Sequence, residues 1–287
     1  MRSQVLKGSV ALLLVVGVLS AGAASATAQT QPRELRIGAL LSLTGDGATL
    51  GNTSKAALEI ATQRWNAAHG KQLKVVLDVE NTNLEAEPAQ AALTRLADRG
   101  ARIVIGPQSS SEVAAISAEA DARGVPLVSH GSTASSLGQP DDNVFRFVPT
   151  DRVEGRAGTD LMLRNGASVI VPMWRNDRGN TGLADSVRAA ATASGAAVLP
   201  GVQYEPDTTD FGPALAELSS QLQEAESVAN TGGGKVAVYL AGFEEVGEIF
   251  NEARTVTGLD SVPWYGGDGS AQSKKLLASG PATFATT

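Results

Sequence analysis

Two apolar rhythms alternate along the chain, short continuous runs and longer stretches with helical spacing. Leu35 to Leu41 is a β-compatible run. After the Gly/Ser/Thr-rich stretch Ser42 to Gly51, the spacing becomes helical, with Ala57, Ile60, Ala61 and Trp65 on one face. The pair then repeats. Leu73 to Val79 reads as a strand, and Ala89, Ala92, Leu93, Leu96 and Ala97 form the single stripe of a helix that buries one side. Ile103 to Ile105 leads through Gly106, Pro107 and three serines into a helix carrying Val113, Ile116 and Ala120. Val125 to Val128 then leads to His130, Gly131, Ser132 and Thr133. Four consecutive βα units predict a parallel sheet with helices on both faces. Asn143 to Phe147 predicts a fifth strand, and Pro149, Thr150 and Asp151 mark a crossing.

Beyond that break the alternation resumes, which predicts a second α/β lobe. A strand at Ser168 to Val171 precedes a helix at about Leu183 to Ser194 and a strand at Ala197 to Val202. Asp210 is placed to cap a helix carrying Phe211, Leu215, Leu218 and Leu222. A turn at Gly232 to Gly234 leads to a strand at Val236 to Ala241, a helix with Val246 and Ile249, and a last clear strand at Val262 to Tyr265. Pro281 to Ala285 reads as the start of another strand without a closing helix, so the C-terminal part of the fold is expected to be missing. The expected organisation is a leader at 1–28, lobe one at 33–149 and lobe two at 150–287, ending near a crossing back to lobe one.

Composition sharpens this picture. A chain of 287 residues with 43% apolar and 18% charged residues has the balance of a globular protein with room for two domains. Acidic residues outnumber basic ones by 30 to 23 and no Lys/Arg block occurs, which argues against a nucleic-acid partner. Arg2 and Lys7, the apolar run Val10 to Leu19 and the small residues after it read as a secretory leader. Cleavage after Ala26 or Ala28 suits those small residues, with Ala28 favoured. The chain has no cysteine, so neither a disulfide nor a lipidated cysteine follows export, and a periplasmic location is expected.

In an open parallel sheet, ligands bind beyond the carboxyl ends of the strands, where helix N-termini point amides outward. Ser109, Ser110 and Ser111 occupy one such loop, and Ser132 and Thr133 the next. These hydroxyls can receive a carboxylate, or they can simply cap helices at about 1 kcal/mol each. Asp268, within Gly266-Gly267-Asp268-Gly269-Ser270, stands past the last strand and can receive an ammonium or bond its own turn. Gly45, Gly47 and Gly51 with Asp78 loosely resemble a dinucleotide loop, but Ser42 to Thr44 intervene between strand and glycines. Gly232 to Lys235 is no phosphate loop, and neither a nucleophile elbow nor a cysteine nucleophile is present. The two histidines, His69 and His130, are too few and too far apart for a His-rich metal site. Neither an enzyme nor a cofactor is expected.

Taken in order, several segments resemble the periplasmic leucine/isoleucine/valine-binding protein family. They are Ile37-Gly38 with Leu43-Thr44-Gly45; Val104 to Ser111; Gly124-Val125-Pro126 leading to Ser129-x-Gly131-Ser132-Thr133; Thr209-Asp210-Phe211 with Leu215 and Leu218; and Ala253-Arg254 before Gly258. The resemblance implies a type I periplasmic binding protein fold, two Rossmann-like lobes with parallel sheets, and a monomer that delivers an amino acid or related small polar solute to the membrane permease of an ABC transporter. It further implies that a ligand carboxylate meets the Ser110 hydroxyl and amide, the Ser132 backbone and the Thr133 side chain, with Ser109 in the same loop and Asp268 facing the ammonium. Leu50 and Phe243 fall where the family has pocket aromatics. Arg178-Gly179 departs from the family's aromatic-Gly pair, leaving Trp174 either as the candidate ring or as a buried packing residue. Alternatives are a sensory-receptor module and a binder of amides or urea-like solutes. Family members continue beyond this length, and without that part lobe one would expose apolar surface.

Overall fold

The computed structural model describes residues 32–271 and 273–279. The expected leader, its cleavage point near Ala28 and the strand expected at 281–285 lie outside them. The first sheet is built from β1 (Arg33–Leu41), β2 (Leu73–Asn81), β3 (Ile103–Ile105), β4 (Leu127–Ser129) and β5 (Val144–Arg146) in the order β2-β1-β3-β4-β5, with every pairing parallel. Parallel neighbours need crossovers, and α1 (Ala48–His69), α2 (Ala86–Asp98) and α3 (Ser110–Arg123) supply the first three. The stripes read from the sequence on α2 and α3 are buried: Ala89, Ala92, Leu93, Leu96, Ile116 and Ala120 close over Leu40, Val104 and Leu127. Each fully buried leucine or isoleucine there contributes about 1.5–3 kcal/mol.

Helix α1 departs from the expected pattern. Its predicted inner face, Ala57, Ile60, Ala61 and Trp65, is exposed, Ile60 at 51% and Trp65 at 42%. The helix leans instead on the edge strand β2 through polar groups. The Asn66 carboxamide accepts from Val75 N and donates to Val75 O, both at 2.8 Å, and Trp65 Nε1 donates to the Leu73 carbonyl. Those bonds hold Asn66 and the Trp65 indole N–H on β2, while Ala57, Ile60 and Ala61 stay exposed. At the opposite edge, Phe145 and Phe147 are 50% and 80% exposed.

The second sheet runs β10-β9-β6-β7, with β8 also paired to β6, again all parallel. Its strands are β6 (Ala167–Arg175), β7 (Ala197–Val198), β8 (Val202–Tyr204), β9 (Lys235–Ala241) and β10 (Trp264–Gly266). Helices cover both faces. α4 (Asp151–Arg164) and α5 (Arg178–Ala193) bring Met162, Leu183, Val187 and Ala191 against Ile170, Ala237 and Tyr239. α6 (Gly212–Gly232) and α7 (Val246–Ala253) bring Leu215, Leu218, Leu222, Ile249 and Phe250 against Val169, Val171 and Val238. α8 (Lys274–Ser279) closes the described chain.

β6 runs four residues beyond the strand read from the sequence, through Pro172. It tolerates proline because its neighbour changes there: β7 pairs with Val169 and Ile170, β8 with Met173 to Arg175, and the chain leaves the ladder between them. That same change splits the single strand expected at 197–202. α5 begins five residues before its expected start, because Asp177 caps it by accepting from Asn180 N at 2.9 Å. α6 is capped at Phe211 rather than Asp210, whose carboxylate accepts from Gly212 N.

Candidate functional site

The carboxyl ends of β3 and β4 place the two serine loops side by side. Gly106 makes this possible: at φ +100° it runs so close to the Leu40 carbonyl that a Cβ has no room. Ser109 caps α3 in a capping box, its hydroxyl accepting from Glu112 N while Glu112 accepts from Ser109 N at 2.8 Å. The Ser110 hydroxyl lies 3.1 Å from the Ser132 hydroxyl and accepts from Ala134 N at 3.1 Å. The Ser129 hydroxyl donates to the Pro107 carbonyl at 2.7 Å and accepts from Ser132 N at 3.0 Å. The two loops are thus stitched into one rigid rim.

Opposite that rim stand the N-terminus of α5 and the short turn Asp268–Ser270 that follows β10. A cavity of about 50 Å³ lies between, with Leu50, Ser109, Ser110, Thr133, Phe243 and Asp268 in its wall. At roughly 10–15 Å³ per water-sized position, it has room for a few non-hydrogen atoms. Sequence reading missed the rest of the wall, notably Gln108, Asp177, Asn180 and Leu183. The polar character of Asp177 to Gly182 disguised a helix N-terminus as a loop, and Gln108 carried no signal beyond its place before the serines.

Two of the expected residues stand elsewhere. Ser132 lies beneath Ser110, buried, outside the cavity wall. Trp174 is not brought to the cavity. Side chains alternate along β6, so Trp174 points with Ile170 toward α4 and α5, where the Arg188 guanidinium sits 4.5 Å from its ring centre. Its neighbour Arg175 points the other way and reaches the loop after β1.

Arg175 links the two sheets' loops. Its Nη1 lies 2.8 Å from Asp46 Oδ2, in the loop after β1, and 3.5 Å from Glu245 Oε1; its Nε lies 3.4 Å from Asp177 Oδ2. Burial works against the charge of Arg175, but Glu245, Asp46 and Asp177 more than offset it and raise its pKa. Around it, Glu244 N donates to the Asp46 carbonyl, Thr49 N to Glu244 Oε1 at 2.6 Å, and Arg178 N to Ser111 Oγ at 3.2 Å. The Tyr204 hydroxyl donates to Glu245 Oε1 at 2.9 Å.

Desolvation of its carboxyl raises Asp268 above the usual range, although the residue as a whole is exposed, which makes the shift a modest one. Asp268 N donates to Glu154 Oε1 at 2.7 Å. The dinucleotide alternative finds no support. Gly51 lies within α1, pressed on the Ser42 backbone, and Asp78 pairs with Arg36 at 3.3 Å. Among the described residues, no group of three His, Cys, Asp or Glu is placed to hold a metal ion, and no helix is long and apolar enough to cross a membrane.

Comparison with known proteins agrees with this fold. The sequence profile of the periplasmic binding protein family matches residues 34–247. An uncharacterized protein of Methanocaldococcus jannaschii is 29% identical over 92% of this chain and 66% of its own length. Among solved structures, the leucine-binding protein LivK from Thermotoga maritima superposes with a TM-score of 0.72 at 25% identity, covering 87% of this chain and 67% of that one. The branched-chain amino-acid substrate-binding protein LivJ from Streptococcus pneumoniae, solved with isoleucine, gives 0.68 at 26% identity, covering 83% and 65%. The chain thus spans about two thirds of the length of these relatives. With its two parallel sheets, its matched profile and these structural likenesses, the chain belongs to the periplasmic binding protein family, beside the leucine/isoleucine/valine-binding proteins.

Proposed function

We propose that this chain is the solute-binding component of an ABC transporter, exported to the periplasm with its leader cleaved near Ala28, and that it captures an amino acid, branched-chain or otherwise apolar, between its lobes. The observation that carries this reading is that the serine rim of the first sheet and Asp268 beyond the second face one cavity, which must widen to admit a whole amino acid. Hydroxyls and amides at the start of α3 suit a carboxylate, Asp268 suits an ammonium, and Leu50, Leu183 and Phe243 suit an apolar side chain. Lobe one comprises 33–149 and lobe two 150–287, with the hinge at Pro149 to Asp151. Closing about that hinge forms the contacts around Arg175 and presents a surface to a membrane permease. The protein acts as a monomer and without chemistry on its solute.

A thermal-shift screen of the chain against amino acids, amides and small carboxylates tests this reading. A solute at a hundred times its Kd adds about 2.7 kcal/mol and moves Tm by several degrees. A shift confined to apolar amino acids is expected; no shift from any amino acid overturns the reading. One observation favours a second reading. The Gln108 carboxamide is buried in the cavity wall with no hydrogen-bond partner among the described residues. An amide or urea-like solute would satisfy both of its polar atoms, and the amides in the screen test for that solute.

A further inference from the structure

Behind Asp268 the cavity is backed by acid. Asp151 and Glu154 lie one turn apart at the start of α4, Asp151 fully buried and Glu154 half-buried. Glu154 Oε1 accepts from Asp268 N at 2.7 Å, and the Asp268 charge acts on the Glu154 carboxyl. The Tyr239 hydroxyl of β9, 1% exposed, has no hydrogen-bond partner among the described residues. It points at the same spot: a Cβ placed on Gly267 would stand 3.3 Å from Glu154 Oε1 and 3.4 Å from that hydroxyl. α5 closes this side with Gly182 and Leu183, which carry no charge. The cation felt here is Arg146 of β5, acting on Asp151. Among the described residues, Asp177 and Asp268 line the cavity, and no Lys, Arg or His does.

Carboxylates this close, with so little positive charge nearby, do not all ionise together. We propose that Glu154 is a positioning residue of the solute site: its carboxyl holds the Asp268 turn, shares one proton with Asp268 while the site is empty, and releases that proton to water when a solute's cationic group arrives. The proposal rests on the amino-acid-binding reading above and deepens it. It selects solutes that bring a positive charge, because only these replace the proton without leaving uncompensated acid. It also links capture to pH. Burial first, and then the Asp268 charge, push the Glu154 carboxyl up to about 7, so the exchange falls in the physiological range.

The test uses the full chain with L-isoleucine as probe. Calorimetric titration near pH 6.5, in buffers of different ionisation enthalpy, counts protons released on binding. The expected count approaches one in the wild type and falls near zero in Glu154→Gln, which keeps an acceptor for Asp268 N. Between about pH 8 and pH 5.5 the wild-type Kd should rise at least tenfold, and that of Glu154→Gln less than about threefold. Equal proton release in both proteins, or a wild-type Kd indifferent to pH, overturns the proposal. If no amino acid binds at any pH, the solute class itself fails. Infrared spectra of the empty protein then decide the shared proton. A protonated-carboxyl band near pH 6.5 that disappears in Glu154→Gln upholds it, and absence of that band in the wild type overturns it.

Discussion

Removing the Asp46 carboxylate should weaken solute binding without touching the solute. Asp46 sits in the loop between β1 and α1, with its Oδ2 2.8 Å from Arg175 Nη1 of β6. This ion pair joins the loops of the two sheets; on the proposed closure it would form as the lobes meet and give way to water as they part. Charge-assisted hydrogen bonds contribute about 1.5–3 kcal/mol. The Asp46 side chain retains 27% exposure, which places the effect at the lower end, about 1.5–2 kcal/mol. In Asp46→Ala the guanidinium still has Asp177 and Glu245 within 3.5 Å, so the larger penalty of an abandoned buried charge is not incurred. Since every 1.4 kcal/mol is tenfold, Kd should rise about ten- to thirtyfold, mainly through faster dissociation. Calorimetry and stopped-flow release with the solute found in the thermal screen read both quantities. Asp98→Ala, which breaks an exposed pair with Arg123 away from the cavity, is the control and should leave Kd unchanged. If Asp46→Ala binds within twofold of that control, the ion pair makes no contribution to closure.

Further outcomes follow from the same geometry. Asp268→Ala should weaken amino-acid binding at least tenfold by calorimetry, a charge-assisted contact being lost; unchanged affinity removes Asp268 from the ammonium role. Ser110→Ala leaves Ala134 N and the Ser132 hydroxyl short of a partner, so the empty protein should lose about 2 kcal/mol. By calorimetric melting that is a fall of roughly 4–8 °C in Tm. The raised pKa of Glu154 means that the folded protein holds a proton the unfolded chain has released. Its contribution therefore favours folding at low pH and is lost as pH rises between about 4.5 and 7. Glu154→Gln should accordingly melt higher than wild type at about pH 8 and lose that advantage by about pH 5; a constant difference between the two pH values contradicts this.

The alternation of strands and helices was legible because parallel strands buried on both faces are written as continuous apolar runs. The α2 and α3 stripes were legible for a similar reason, since they pack on the sheet with their apolar faces alone. α1 was misread because spacing shows that a helix has an apolar face but not which way it turns. Asn66 and the Trp65 indole N–H bond to the edge of β2, while Ala57, Ile60 and Ala61 stay exposed. The serine rim could be read from its place after two strands. Trp174 could not, because adjacent strand residues face opposite sides and nothing marked where β6 would end. Glu154 escaped notice because an acid one turn after a helix start usually faces solvent, and only the return of the chain at Gly267 and Asp268 covers it. Arg175 acquires its role from three acids distant in the sequence, a convergence that local pattern does not record.

The serine rim and Asp268 belong to different sheets, and this division has a consequence for inhibition. Under the proposed function, a solute with both charged ends would tie one half of the molecule to the other, whereas a simple carboxylate would satisfy the rim alone, leaving the far acid with its proton and the halves free to part. Such a half-ligand should therefore be a silent occupant, competing for the site without producing the closed shape a partner reads. Occupancy and signal would then be separate properties, and the small acids surrounding the protein would act as its natural antagonists.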